Sequence, residues 1–486
     1  MKISIVNPHI PVFRRNYAFR KTRKWQPLST AIVAAWLEQQ GGWEIQFLDA
    51  HVMDWSDADT IRQIRAFAPD VLYYSSERTD AWELPIPDTS YIESFFRDLF
   101  ANCSSPPRHV LFEGPHGSIY PADMLRKLPA VHACLRGETE PVSFAALAAL
   151  ARGDIARDGD WRSVRSVSWR RADGSLVHNP DDENPVRYAD FPSPAWHLLP
   201  MDRYRDAAAP DTPFAMLETS RGCPMPCGYC YKQMFGEKQS KRKPEQVLDE
   251  VEEVVERYGV RRIMFQDQIF TLDRKHLIAV CEGLIARGLA ARIEWRCQTR
   301  LNGMKLEHFK LMRDAGCVEI YTGLETGSDT IQGEISKLTL KEFLEYRDYG
   351  ESIGLTISPN MILGLPGETE QTAMESIRFF HRLGIAMVPN VNIPYPLTRY
   401  HTEAIERGDI KGDNWDEVVM GAGLIGTHMD KATIDRVRTR AERLNRVLRW
   451  KKKLYAALGL RYGRGAARKL LRLRGDSFLR GNVAAS

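Results

Sequence analysis

Strand-length apolar runs alternate with helix-length amphipathic runs twice along this 486-residue chain. No other feature restricts the fold as much. A strand, a crossover helix and a second strand in one sheet make parallel neighbours, and a parallel sheet needs helices over both faces. The first series reads KISIVNP, LSTAIVAAWLEQQGG, EIQFLDA, DADTIRQIRAFAPD, VLYYSS, YIESFFRDLFANC and HVLFEGPHG, and continues through ADMLRKLPA and HACLRGETE. It predicts an α/β, doubly wound, Rossmann-like domain over 1–150. Ligands of such sheets bind outside the carboxyl ends of the strands. That places NPHIP, DAHVMDW, SSERTD, EGPHGS and RGETE at a candidate binding edge.

The stretch 151–205 loses this rhythm. Its NPDDENPVRYADFPSPAWHLLPMDRY is rich in Pro and Asp and is expected to be a linker lying over the surface. From Phe214 the alternation resumes with FAMLETS, PEQVLDEVEEVVERYG and RRIMFQDQIF and runs through six strand-then-helix units. The expectation for 206–405 is a partial (β/α)6 barrel of the TIM type. The remainder, 406–486, reads as helical and basic. From Lys431 onward there are 17 Lys or Arg against three Asp or Glu, which leaves the rest of the chain net negative although the total is +4. This basic stretch reads as a solvated helical face rather than a nucleic-acid surface. No window approaches eighteen uncharged apolar residues, so no membrane span is expected, and MKISIVNP reads as a strand rather than a signal, which suits the cytoplasm.

Three of the eight cysteines crowd one loop, TSRGCPMPCGYCYKQMFG: Cys223, Cys227 and Cys230. The others, Cys103, Cys134, Cys281, Cys297 and Cys317, sit singly and read as small buried hydrophobes. Thiolates ligate soft metals and iron–sulfur clusters. Three on a tight loop suit three corners of a four-iron cluster, with the fourth iron open to a small molecule. Structural zinc takes four protein ligands as a rule, and no second Cys or Cys/His pair of suitable spacing lies nearby.

The spacing C-x3-C-x2-C, with Tyr229 just before the last cysteine, resembles the signature of the radical S-adenosylmethionine (radical SAM) superfamily. The resemblance implies a [4Fe-4S] cluster on Cys223, Cys227 and Cys230 and S-adenosylmethionine on the open iron. FQDQIFT is similar to F-x-D-D-x-F: Asp267 matches and Gln268 departs. WRCQTR ends in Arg300, which would meet the carboxylate of the nucleotide. AGCVEIYTGLETGS resembles A-G-C…G-x-E-S-G, with Glu325 and Ser328 matching and Thr326 replacing a serine. Lys337 matches a lysine that commonly follows. GLPGET and NIPYPLT echo the family, with Leu397 where glycine is common. Tyr229, Asp267, Arg300, Glu325 and Ser328 are thus the expected S-adenosylmethionine contacts.

The front half resembles the cobalamin-binding, methyltransferase-like branch of the superfamily. The match rests on EGPHG, RGETE and PAWHLLP preceding the barrel. It implies corrin contacts from Gly114, Pro115, His116, Gly137 and Glu138. DAHVMD is similar to D-x-H-x-x-G, but Asp54 stands where the glycine would be, so His51 reads as a polar loop residue. The implied function is reductive cleavage of S-adenosylmethionine to a 5′-deoxyadenosyl radical and methylation of an unactivated centre of a small-molecule substrate, with an external electron donor. Two alternatives stay open: a cyclase or rearrangement enzyme of the same layout without methyl transfer, and a non-catalytic zinc or nucleic-acid-binding protein. The front fold without cobalamin is a third.

Overall fold

The computed structural model describes residues 1–10, 24–76, 88–155, 159–183, 186–232, 234–335, 338–392, 394–408, 410, 412–416 and 429–457. Lys337 and most of the SSERTD segment lie outside them, as do 458–486. The chain divides into two compact units. The first holds Met1–Thr322, Tyr346–Ser358 and Pro394–Ala422, and the second holds Gly323–Glu345, Pro359–Ile393 and Gly423–Ser486.

The first unit opens with β1 (Lys2–Asn7), α1 (Leu28–Gln40), β2 (Glu44–Asp49), α2 (Ala50–Met53), α3 (Asp57–Phe67), β3 (Val71–Ser75) and α4 (Ser90–Phe100). It continues through β4 (His109–Glu113), α5 (Pro115–Ile119), α6 (Pro121–Lys127), β5 (Ala133–Leu135) and α7 (Thr139–Arg152). The strands lie in the order β2-β1-β3-β4-β5, all parallel. β3 and β4 are buried at every position, as strands covered on both faces must be. One face carries Val33, Ala34, Leu37, Ala146, Leu147 and Leu150 from α1 and α7. The other holds an aromatic cluster in which Tyr74 meets Phe96 edge-on at 4.9 Å and stacks on Phe112 at 5.9 Å. Ser56 and Asp59 form a capping box at the start of α3.

The segment expected to be a surface linker is partly core. β6 (Val167–Arg170) pairs antiparallel with β5, and β7 (Leu176–His178) pairs with β6, so the front sheet gains two strands. Trp161, Trp169, Tyr188 and Trp196 are buried, the first and last completely. The short apolar runs VSWR and LVH flank the turn ADGS, and burying their tryptophans outweighs the polar composition around them.

The second series of strands begins in the same unit. After β8 (Arg205–Asp206) come β9 (Ala209–Leu217), the hairpin β10 (Ser220–Arg221) and β11 (Ser240–Lys241), and α8 (Pro244–Tyr258). Then follow β12 (Arg262–Phe265), α9 (Arg274–Ala286), β13 (Glu294–Gln298), α10 (Leu306–Asp314) and β14 (Cys317–Glu325). β9, β12, β13 and β14 are neighbours in that order and parallel; β8 runs antiparallel beside β9. The alternation then passes through α11 (Asp329–Ile335), α12 (Leu340–Ile353), β15 (Thr356–Leu363), α13 (Glu370–Arg382), β16 (Asn390–Val391) and α14 (Arg399–Glu406). Within the second unit β15 pairs parallel with β16. The chain is α/β with the six expected strand-then-helix units and a helical C-terminal region.

That region is α15 (Lys431–Ala457), which packs on α13 within the second unit. Glu370 accepts from Arg436 at 3.0 Å and from Arg440 at 2.6 Å. Its other face leaves Arg443, Arg446, Arg449 and Lys451 to Lys453 exposed. Among the described residues no helix is long and apolar enough to cross a membrane.

Candidate active site

The cysteine loop leaves β9 through Glu218 and Thr219 and is closed at its root by the β10–β11 hairpin, where Ser220 faces Lys241 and Arg221 faces Ser240. Gly222 then turns the chain with φ +89°. A Cβ there would lie 2.0 Å from the carbonyl oxygen of Lys238, so only glycine fits. The Cys223 N–H donates to Gly236 O at 3.2 Å, and the Cys230 N–H donates to Cys227 O at 3.1 Å. Lys232 holds the loop from inside by donating to Met225 O at 2.7 Å. Gly228 is pressed by α14: its carbonyl accepts from the Tyr400 N–H at 3.2 Å, and a Cβ would meet Arg399 and Tyr400 at 2.8 Å.

Among the described residues none of the three thiols is in a disulfide; Cys223 is buried, while Cys227 and Cys230 are half-buried. Burial pushes the Cys223 thiol up, and the neighbouring Cys227 adds to this; Lys232 and Arg300 oppose it. Among the described residues no three Cys, His, Asp or Glu side chains converge as a single metal ion would require. Of the other cysteines, Cys134, Cys281, Cys297 and Cys317 are buried and Cys103 is half-buried.

Asp267, just past β12, sits fully buried behind the loop. Its carboxylate accepts from the Thr219 N–H at 2.7 Å, the Thr219 hydroxyl at 2.5 Å and the Ser220 hydroxyl at 2.6 Å. Burial raises it to about 6 against these three bonds. The structure thus directs this carboxylate at the root of the cysteine loop. Arg300 follows β13 and is half-buried, close enough to Cys223 to lower its thiol, with no side-chain hydrogen bond or ion pair among the described residues. Tyr229 lies in the turn between Cys227 and Cys230, half-buried.

Glu325 and Ser328 belong to the second unit. Glu325 ends β14, buried, with φ +63°, a left-handed conformation that non-glycine residues avoid and that clusters at functional sites. Ser328 donates to Glu375 at 3.0 Å, and Ser376 accepts from the Gly327 N–H at 2.9 Å, so α13 braces the LETGS turn.

At the carboxyl edge of the front sheet, the strand order reverses between β1 and β3, the switch point where open α/β sheets bind ligands. Asn7 donates to Asp49 at 2.7 Å, and the Tyr204 hydroxyl also donates to Asp49. The His51 ring accepts from the Ile10 N–H at 3.4 Å. Gly114, Pro115 and His116 form the turn into α5, and His116 is fully buried. The structure brings this turn to Gly137 and Glu138: the Ser118 hydroxyl accepts from the Gly137 N–H at 3.1 Å. Trp415 covers His116, with ring centres 4.8 Å apart.

Reading the sequence missed Arg221. Its guanidinium donates to Glu140 at 2.6 Å, to Glu138 at 3.2 Å and to Glu218 at 2.7 and 2.9 Å. It therefore ties RGETE to the cysteine loop. The position beside Cys223 is the one sequence signal that pointed to it.

A family model described as the radical SAM superfamily matches residues 217–380, the stretch that carries the thiol loop and the parallel strands after it. That stretch is a radical SAM domain. The chain is 26% identical over 392 residues to an uncharacterized methyltransferase from Pyrococcus horikoshii, covering 80% of each. It is also 26% identical to an anaerobic magnesium-protoporphyrin IX monomethyl ester cyclase from Rubrivivax gelatinosus, covering 73% of this chain and 61% of the cyclase. A solved structure of the radical SAM methyltransferase TsrM from Kitasatospora setae, with cobalamin and a [4Fe-4S] cluster bound, aligns with a TM-score of 0.62 at 16% identity. That alignment covers 84% of this chain and 74% of TsrM, and it shows the shared fold. The protein is an enzyme, which sets aside the non-catalytic reading.

Proposed function

We propose that this radical SAM enzyme is a cobalamin-dependent methyltransferase acting on an unactivated centre of a small-molecule substrate. One observation carries the reading. The GPH turn and the RGE turn, both expected corrin loops from the family resemblance, meet through Ser118 at the sheet edge, and Arg221 joins the same edge to the three-thiol loop. The relatives whose printed names include methyltransferase support it as well. We retain 1–150 and 206–405 as the working cobalamin and radical SAM segments, with 151–205 between them and 406–486 after them.

Cys223, Cys227 and Cys230 would hold the [4Fe-4S] cluster, and Gly114, Pro115, His116 and Gly137 would lie against the corrin. The cluster and its nucleotide supply a radical able to take hydrogen from an unactivated position, and methylcobalamin supplies the methyl group. The rest of the work falls to the chain. Gly222 and the β10–β11 hairpin fix the thiols, and Arg300, with no ion pair among the described residues, offers its guanidinium to a carboxylate. Tyr229 shapes the nucleotide pocket from the loop. Glu325, in the second unit, is held in a strained conformation at a strand end. Ser328 lends a hydroxyl beside it. Asp267 holds the loop root rather than meeting the nucleotide directly. Cleaving the sulfonium consumes an electron that the chain does not hold, so an external donor delivers it. The free thiols and an oxygen-sensitive cluster suit the cytoplasm.

The test is protein purified without air, reconstituted with iron and sulfide, and given S-adenosylmethionine labelled in its methyl group together with candidate substrates. Brown protein holding cobalamin and passing label to a product supports the reading. 5′-Deoxyadenosine with an unlabelled, cyclised product favours the cyclase reading, to which the Rubrivivax relative points. Protein that takes up no cluster refutes both.

A further inference from the structure

We propose that Arg221 is a positioning residue that couples the corrin loop to the cysteine loop, so that cobalamin and the cluster strengthen each other's binding. This rests on the proposed function.

The Arg221 side chain is 2% exposed. Its two ends serve different parts of the fold. One terminal nitrogen takes Glu138 and Glu140, which open α7 beside the expected corrin contact Gly137. The other terminal nitrogen and Nε share one oxygen of Glu218, the residue directly after β9. The guanidinium carbon also lies 4.3 Å from the centre of the Tyr188 ring and 4.7 Å from that of Phe235. Phe235 belongs to the cysteine loop itself, and the Tyr188 hydroxyl donates to the same Glu218 oxygen at 3.0 Å.

A planar fork hydrogen-bonded along both edges cannot follow one loop without pulling on the other. Arg221 is separated from Cys223 only by Gly222, whose turn admits no side chain. A shift of Gly137 and Glu138 toward or away from a corrin is therefore felt at the first thiol. The reverse holds equally, because coupling between two binding events is reciprocal. A surplus of carboxylates around one guanidinium argues the same way. Burial pushes Glu138 up to about 8, and the neighbouring Arg221 opposes this. A contact kept for stability alone is usually replaceable by apolar packing.

The experiment measures hydroxocobalamin affinity by absorbance, anaerobically, on apoprotein and on protein reconstituted with iron and sulfide. Native protein is expected to bind about tenfold more tightly with the cluster in place, within the usual range of coupling. Arg221→Lys keeps the charge and loses the fork. Glu140→Gln, made together with Glu138→Gln, removes both ion pairs on the corrin side and leaves Glu218 alone. Both variants are expected to bind cobalamin equally with and without the cluster while still taking up iron and sulfide. Circular dichroism melts separate folding from coupling, and the double variant decides the matter if Arg221→Lys does not fold. A tenfold difference retained in the double variant overturns the inference, as does native protein that shows none while binding both cofactors. Native protein that binds neither cofactor sinks the functional reading itself, which is a separate result.

Discussion

Trp415 donates its indole N–H to the backbone carbonyl of His116 over 3.3 Å, across 299 residues of sequence. Its backbone N–H donates to Asp123 at 3.2 Å, and Asp416 accepts from Lys127 at 2.7 Å. The indole is fully buried, with Tyr120 edge-on at 5.4 Å. A segment after the last strand thus clamps the turn that would face the corrin. Trp415→Ala is expected to cost about 3–5 kcal/mol of stability through the cavity it leaves. It should also weaken cobalamin binding about tenfold or more. Trp415→Phe keeps most of the ring and loses one hydrogen bond, a cost of about 1 kcal/mol. Urea melts and absorbance titration check both, and a native-like Trp415→Ala protein would count against the clamp.

Arg300 brings a guanidinium that has no ion pair among the described residues near Cys223. Arg300→Met is expected to leave iron content unchanged and to weaken S-adenosylmethionine binding. Losing a hydrogen bond to a charged group costs about 1.5–3 kcal/mol, which is about 10- to 150-fold in affinity. Equilibrium dialysis on reconstituted protein measures it. Unchanged affinity would remove Arg300 from the site.

Gly222 has no room for a methyl group, since the Lys238 carbonyl oxygen would be 2.0 Å away. Gly222→Ala is expected to displace Cys223 and to reduce iron and sulfide after reconstitution to less than half. The change adds strain at a positive φ on the order of 1–3 kcal/mol. Iron analysis with the electron paramagnetic resonance of the reduced protein checks it. Full cluster loading would contradict the geometry.

Glu113 lies fully buried at the end of β4, with both oxygens outside hydrogen-bond geometry. Burial raises it to about 8, and the nearby Ser75 and Thr139 hydroxyls offset this only in part. The folded chain therefore keeps a proton that the unfolded chain releases near pH 4.5. This contribution to stability is complete below that value. It declines as pH rises by about 1.4 kcal/mol per pH unit and is gone above about pH 8. Glu113→Gln lacks this titration, so its stability is expected to fall less than the native protein's between pH 5 and pH 8. Urea unfolding across that range decides it, and parallel declines would contradict the assignment.

Much of the site was legible because its signals are local. Three thiols within eight residues and the glycines around them can be read from spacing, whereas Arg300 was pointed to only by the resemblance of WRCQTR to a family motif. Asp267 was legible as a motif residue, but its partners were not. Its three hydrogen bonds to Thr219 and Ser220 come from a neighbouring strand 47 and 48 residues away. The hairpin β6–β7 was hidden by the charged residues between two short apolar runs, where composition argued for a linker. Trp415 carried no signal, since nothing near it in sequence indicates where its indole lands.

The alternation of strand and helix, and with it the α/β class, follows from the sequence alone, because backbone hydrogen bonding and side-chain periodicity act over a few residues. The gathering of three thiols on one loop is likewise a property of the chain. Tertiary structure alone decided which carboxylates share Arg221. Glu138 and Glu140 lie 83 and 81 residues away, and Glu218 only three. Desolvation makes that choice. A charge removed from water must find a partner wherever the packed strands bring one, and no short-range rule foretells which turns of the two sheets will meet.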